Sequence, residues 1–466
     1  MHDVENIELE SKAGQFKSIR KSKYPSVIYW IVFYTYTFLV ATKYFIYEDA
    51  YVSTSFAFTS LYQHVAIIAS IIVGCFIYRK KVSLPKKIYS VIVTLLIMFA
   101  AIFSEVRTNT IYSIVLAIIL GQLASCSLST YIYEMNNAER LFGIVLCHIL
   151  SAVVGILNVW LIREESAFYW IIFGLAIIAS VCCYLEKNRG DEQVCVMEEF
   201  QSKLYLPVGL ACVGGIVSVG SAMLMVLKFS QTDSYMRLYY YGGALIGALI
   251  YFLIYKFYRK PASASLQLGF GLSVISIVFY FVVHKATMII ASIFAGMTFI
   301  ICMMNLYYIL CNIIKKYRGS HIYIVAPASA NLVGGLIAIN AFLVSWYGND
   351  LIVRVELLIF LIGNVFILIT TNLWQKGLSL TAKEEQYFQS DTTITKDQVY
   401  DVIGLSDREK EVADLLIEGL PLKNIAAKLY ISENTAKTHR SVVYRKACVS
   451  NREEFIAKIG IEETKE

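Results

Sequence analysis

Ile425-Ala426-Ala427-Lys428-Leu429-Tyr430-Ile431-Ser432-Glu433-Asn434-Thr435-Ala436-Lys437-Thr438-His439-Arg440 reads as two helices joined by a tight turn. The first helix carries an apolar stripe at Ile425, Ala426 and Leu429, and Ile431 plugs the turn. Ser432 is an N-cap whose hydroxyl can accept from the free amides of the next helix. That helix is basic, with Lys437, His439, Arg440, Arg445 and Lys446, and its acid, Glu433, stands at the end where the helix dipole favours one.

The flanks repeat the pattern. Ser406 and Glu409 have the spacing of a capping box, ahead of apolar Val412, Leu415 and Leu416 and a stop at Gly419. Ser450 and Glu453 repeat the box before Phe455, Ile456 and Ile459, with Gly460 as stop. Four short capped helices in about sixty residues predict a small self-contained domain over 399–466.

These residues resemble the DNA-binding domain of the LuxR family of transcription regulators. Leu405-Ser406-Asp407-Arg408-Glu409-Lys410-Glu411-Val412 looks like the family's opening, and Ile425, Ala426, Leu429, Ile431, Ser432, Glu433, Thr435, Lys437, His439, Tyr444, Arg445, Lys446, Val449 and Arg452 fall at its spacings. The resemblance implies a tetrahelical domain that lays its third helix in the major groove and pairs through its fourth. It places Lys437, Thr438 and Ser441 against DNA. Ser441 stands where a long basic residue is common, Pro421 replaces a Ser, and Ala436 replaces a Val. The wider expected DNA-binding set is Lys437, Thr438, His439, Arg440, Ser441, Arg445 and Lys446. Such a helix gains affinity from phosphate contacts and counterion release, while side chains reaching base edges select the sequence.

Upstream the chain changes character. Of its 466 residues 57% are hydrophobic and 16% charged, with a mean hydropathy of +0.60, beyond the apolar content of a soluble protein. A charged tail, 1–24, lacks the apolar core of a signal peptide. Twelve segments of bilayer-spanning length follow over 25–373: 25–46, 52–78, 87–104, 110–133, 141–162, 166–185, 204–229, 235–258, 262–283, 286–313, 321–346 and 351–373. A polar connector, 186–203, divides them six and six, and a polar linker, 374–398, leads to the C-terminal domain. A flexible tether of that length reaches roughly 25–30 Å, which keeps the domain near the membrane.

Loop charge predicts the orientation. One side collects twenty basic residues, including Lys12, Lys17, Arg20, Lys21 and Lys23 in the tail and Arg79, Lys80, Lys81, Lys86 and Lys87 in the second loop. The other holds seven: Lys43, Arg107, Arg163, Lys228, Arg237, Lys285 and Arg354. The positive-inside rule puts both termini in the cytoplasm of a multi-pass inner-membrane protein, as a chromosome-facing domain demands. Six crossings, a connector and six more resemble the major facilitator superfamily. Gly74-Cys75-Phe76-Ile77-Tyr78-Arg79-Lys80-Lys81 resembles that family's loop motif, with Tyr78 at the place of an acid. The expected fold is therefore all-α: a twelve-helix bundle, then a tetrahelical helix-turn-helix domain.

Polar residues inside the crossings are the candidate ligand contacts: Gln122, His148, Asn158, Asn305 and Asn331. His148, Ser151, Gly155 and Asn158 share one helical side, which suits either a pocket or helix packing. A lining of Tyr, Phe, Asn and Gln suits a small uncharged or aromatic molecule, or a lipid. The ten cysteines lack metal spacing and read as reduced packing thiols. No glycine-rich phosphate loop, nucleophile elbow or zinc motif points to an enzyme or a cofactor. The reading is a membrane-anchored one-component regulator that senses a small molecule and binds promoter DNA as a homodimer. A transporter with a DNA-binding tail, and a tether without a ligand, stay open beside it.

Overall fold

The computed structural model describes residues 23–42, 54–77, 83–159, 165–186, 198–199, 202–232, 235–257, 261–282, 284–318, 351–370, 400, 405–447, 449, 451–452 and 455. The chain divides into two compact units, one over Ser18–Phe388 and one containing Gln389–Glu466. The expected eleventh crossing, the linker and most of the fourth C-terminal helix lie outside the described residues, as does Asn331.

The first unit is built of eleven described helices: α1 Tyr24–Thr42, α2 Thr54–Ile77, α3 Ser83–Ile102, α4 Thr110–Tyr133, α5 Asn137–Leu157, α6 Glu165–Leu185, α7 Ser202–Thr232, α8 Met236–Phe257, α9 Pro261–Phe281, α10 Lys285–Lys316 and α11 Leu351–Ile369. Among the described residues, nine helices, α3 to α11, are long and apolar enough to cross a membrane. Shorter apolar stretches, Tyr24–Val40 and Val65–Gly74, belong to α1 and α2. A two-residue parallel pairing joins β1 Glu198–Glu199 to β2 Tyr317–Arg318.

Helix pairing in the first half recurs in the second. α2 packs on α4 and α8 on α10; α3 packs on α4 and α9 on α10; α3 and α1 pack on α6 as α9 and α7 pack on α11. The α2–α4 seam sets Gly74 of the Ser70/Gly74 pair against Ser125 and Gly121 of the Gly121/Ser125 pair against Ser70, and in the α8–α10 seam Gly243 and Gly247 meet the Ile293 and Met297 backbones while Ser292 and Gly296 meet Met236 and Tyr240. In each pair the small residues are four apart, one turn of a single face. A β-carbon on Gly296 would lie inside the Tyr240 carbonyl, so these helices touch backbone to backbone. Hydroxyls bind across both seams: Ser70 donates to the Ile118 carbonyl at 2.6 Å and Ser292 to the Met236 carbonyl at 2.8 Å. Small-residue packing of this kind replaces the hydrophobic drive that lipid removes.

The halves meet along α5–α8 and α1–α10. Gly155 lies against the Tyr241 ring, and Trp30, Tyr34 and Phe38, each one turn apart on α1, face Tyr307 and Phe299 of α10 at ring separations of 5.1–6.2 Å. Charge is buried at the helix ends. Lys86 opens α3 at 1% exposure, ion-paired at 2.7 Å with Glu186 beyond α6 and 3.9 Å over the Tyr29 ring. Asn136 and Glu139 form a capping box that starts α5, and Arg107 donates to the Ala100 and Ala101 carbonyls that end α3.

In the second unit α12 Asp407–Ile417, α13 Leu422–Lys428 and α14 Glu433–Lys446 enclose two small apolar clusters, one around Val412, Leu416, Ile425 and Ala436, the other around Tyr400, Ala413, Val443 and Phe455.

Candidate nucleic-acid interface

The start of α12 is the expected capping box. The Ser406 amide donates to Glu409 at 2.8 Å, and the box is complete in both directions. The helix ends at Gly419, φ +92°, in a full Schellman turn: the Leu420 amide donates to Leu415 at 3.2 Å and the Gly419 amide to Leu416 at 3.3 Å. α13 ends in the same turn, with Ile431 donating to Ala426 at 3.0 Å and Tyr430 to Ala427 at 3.3 Å. Here the left-handed position, φ 53°, belongs to Tyr430, whose side chain stands 95% exposed. Nothing in sequence spacing marks that residue, because the usual signal is glycine.

Ser432 caps α14 as expected, accepting from the Thr435 amide at 3.0 Å. Ala436 and Val443 bury one stripe of the helix against α12 and α13. At 100° per residue, Lys437, Thr438, Ser441 and Arg445 then fall together on the opposite side, and all four are exposed. The structure therefore brings four expected DNA-facing residues onto one convex face.

The other three part from them. Lys446 reaches back from α14 to bond the Glu409 carboxylate on α12. Burial alone would raise the Glu409 carboxyl, but the Lys446 ammonium and the Ser406 amide outweigh it and hold the group below its ordinary value. Half-buried Arg440 lies 5.9 Å over the Tyr444 ring, on the flank of the exposed face. His439 is half-buried on the Lys446 side. Helical spacing already sets these three off the exposed face, but the partner of Lys446, two helices back on α12, is not visible in it.

Gln122, His148 and Asn305 each have a side-chain polar atom bonded to a neighbouring helix. The Gln122 amide donates to the Ser70 carbonyl and hydroxyl, both at 2.8 Å, inside the α2–α4 seam. His148 is fully buried, with Nε2 3.2 Å from the Tyr34 hydroxyl and Nδ1 2.8 Å from the Ile144 carbonyl. Asn305 accepts from Ser265 at 2.8 Å, and Asn158 is buried where α5 ends. His148, Ser151, Gly155 and Asn158 do share a buried side, as the spacing predicts.

The profile described as bacterial regulatory proteins, luxR family, matches residues 404–459. A protein named as an HTH-type transcriptional regulator in the exeN 3' region of Aeromonas salmonicida is 36% identical over 88 residues, which are 18% of this chain and 44% of that protein. The chain thus spans less than half the length of that relative. The spore germination protein GerE of Bacillus subtilis (strain 168) is 33% identical over 76 residues, 16% of this chain and 88% of GerE. With a relative matched over most of its length and the capped helix-turn-helix that the family profile covers, the chain belongs to the luxR family of bacterial regulatory proteins.

Proposed function

We propose that this protein is a membrane-anchored one-component transcription regulator, in which residues 25–373 sense a small uncharged or aromatic molecule and residues 399–466 bind promoter DNA as a homodimer. The observation that carries the reading is the presence, in one chain, of bilayer-length apolar helices and a luxR-type domain whose Lys437, Thr438, Ser441 and Arg445 form one exposed face. The repeated pairing of α1–α6 in α7–α11 supports a six-plus-six, major-facilitator-like bundle with its eleventh crossing at 321–346. In this reading both termini are cytoplasmic. A ligand acts by favouring one of two arrangements of the halves, which changes how the DNA domains pair. Because Gln122, His148 and Asn305 already bond neighbouring helices, a ligand would act by exchanging those bonds.

Full-length protein in nanodiscs is incubated with sheared genomic DNA, and bound fragments are sequenced. Promoter fragments are enriched by the native chain and lost with Lys437→Ala, by roughly 10-fold or more for a lost base contact. The regulator reading fails if no promoter is enriched and compound uptake by the bundle persists after deletion of 399–466, which is the transporter outcome.

A further inference from the structure

Arg140, in the first turn of α5, is enclosed at 2% exposure and pairs with no acid among the described residues, whereas the similarly buried Lys86 has Glu186 at 2.7 Å. One terminal nitrogen of Arg140 donates to the Ile132 carbonyl at 3.2 Å and the other to the Asn137 side chain, while its Nε–H meets no acceptor. A second buried donor stands beside it. The Trp30 ring of α1, 1% exposed, stacks on Tyr131 of α4 at 4.1 Å, and the Tyr131 hydroxyl donates to the Arg140 carbonyl at 3.1 Å. Trp30 Nε1 also meets no acceptor, and its ring edge lies against Gly143, within one turn of Arg140 on the same side of α5. Tyr307 of α10 completes the ring wall, in a T-shaped contact with Trp30 at 6.2 Å. An indole N–H and a guanidinium are donors only, so no rotation or tautomer relieves either of them.

We propose that Trp30 and Arg140 form an oxyanion site at the joint of the two halves, which takes the carboxylate of a small aromatic acid. Resting on the sensing reading, this narrows the ligand to an aromatic molecule with a single negative group. A buried guanidinium without a counter-charge is costly, and a carboxylate is the acceptor that satisfies it in a fork. The rings of Trp30, Tyr131 and Tyr307 supply flat apolar surface for the ring of the acid. A lipid headgroup fits less well, because both donors are enclosed among α1, α4, α5 and α10 rather than turned to the outer surface of the bundle. In the present arrangement side chains fill the joint, where a β-carbon on Gly143 would stand 3.1 Å from the Trp30 ring. The acid therefore enters as α1 and α10 part, and its bonds to the two donors hold that second arrangement.

Full-length protein in nanodiscs of neutral lipid is titrated calorimetrically with benzoate, phenylacetate and indole-3-acetate, and with benzamide and acetate as the controls that lack the charge or the ring. At least one aromatic acid is expected to bind the native chain about 10-fold or more tightly than either control. Trp30→Phe keeps a ring and removes the N–H, and Arg140→Gln removes the charge; each should weaken the acid by about 10-fold and leave benzamide unchanged. Arg140→Lys, a point charge without the fork, should fall between native and Arg140→Gln. Size exclusion checks the folding of each variant. Should Arg140→Gln not fold, Trp30→Phe and the benzoate–benzamide comparison in the native chain still decide. No aromatic acid bound, benzamide bound as tightly as benzoate, or native affinity in either folded variant overturns the site. Stabilisation by phosphatidylglycerol nanodiscs that Arg140→Gln abolishes, with no acid bound, also overturns it and assigns the donors to a lipid headgroup. Binding of an aromatic acid that leaves promoter binding unchanged overturns the sensing reading and leaves the site in place.

Discussion

The two Schellman turns that frame α13 differ in one respect, and the difference sets opposite signs for the same kind of substitution. At Tyr430 a side chain sits at φ 53° and is 95% exposed, so removing it forfeits almost no burial. The left-handed conformation costs about 1–2 kcal/mol for a residue with a β-carbon. Glycine returns about 0.5–1 kcal/mol of that through its greater freedom in the unfolded chain. Tyr430→Gly is therefore expected to stabilise the C-terminal unit by about 0.5–1 kcal/mol. At Gly419, φ +92°, alanine meets the same strain, and its β-carbon would come within 2.9 Å of the Arg452 guanidinium. Gly419→Ala should cost about 1–2 kcal/mol, with about 1 kcal/mol more if Arg452 releases the Gly419 carbonyl. For a domain of this size each kcal/mol moves the midpoint by about 4–8 °C. Pulsed hydrogen exchange of the full-length protein across a temperature series, read on peptides from α12 to α14, reports both shifts. A lower midpoint for Tyr430→Gly refutes the reasoning, because it means that the exposed ring supplies a contact worth more than the backbone strain.

Two further outcomes follow from named contacts. Glu409→Gln weakens the capping box and removes the Glu409–Lys446 ion pair, so it should destabilise the C-terminal unit by about 1–2 kcal/mol at neutral pH. The native carboxyl titrates below its unfolded value, so its contribution is complete above the unfolded value and fades as pH falls through the folded one. The gap between native and variant urea midpoints should thus close on acidification below about pH 4.5 and not on alkalinisation. In the bundle, Gly296→Val drives a side chain into the Tyr240 carbonyl and should lower the detergent-solubilised midpoint by several degrees, whereas Gly174→Val, with no atom within 4 Å of its β-carbon, should leave it in place. Fluorescence-detected size exclusion after heating separates the two.

Much of the C-terminal unit was legible because its signals are local. The Ser406–Glu409 box, the Gly419 stop and the Ser432 cap each need only the residues within one turn, and each occurs where spacing predicts it. Apolar run length located the nine described helices that are long and apolar enough to cross a membrane, since a bilayer sets a length that composition must fill. What spacing missed depends on partners far along the chain. Lys446 looks like any basic residue of α14 until α12 places Glu409 beside it, 37 residues away. Gln122 reads only as a polar residue within a crossing, and its bond to the Ser70 carbonyl of α2 is not visible in spacing. Lys86 reads as a loop charge, yet it is buried through a residue 100 positions later and an aromatic face on α1. Tyr430 holds a turn position for which the chain carries no warning letter.

The glycine and serine seams of α2–α4 and α8–α10 have a mechanical consequence. In α8–α10 main chain rests on main chain, and in α2–α4 little more than serine and Gln122 side chains intervene, so only a thin side-chain layer separates the helices. Such a pair is therefore expected to move as one body rather than to slide along its seam. Any relative movement of the two halves is then expected at the other joints, where Gly155 of α5 meets Tyr241 of α8 and the rings of α1 meet those of α10.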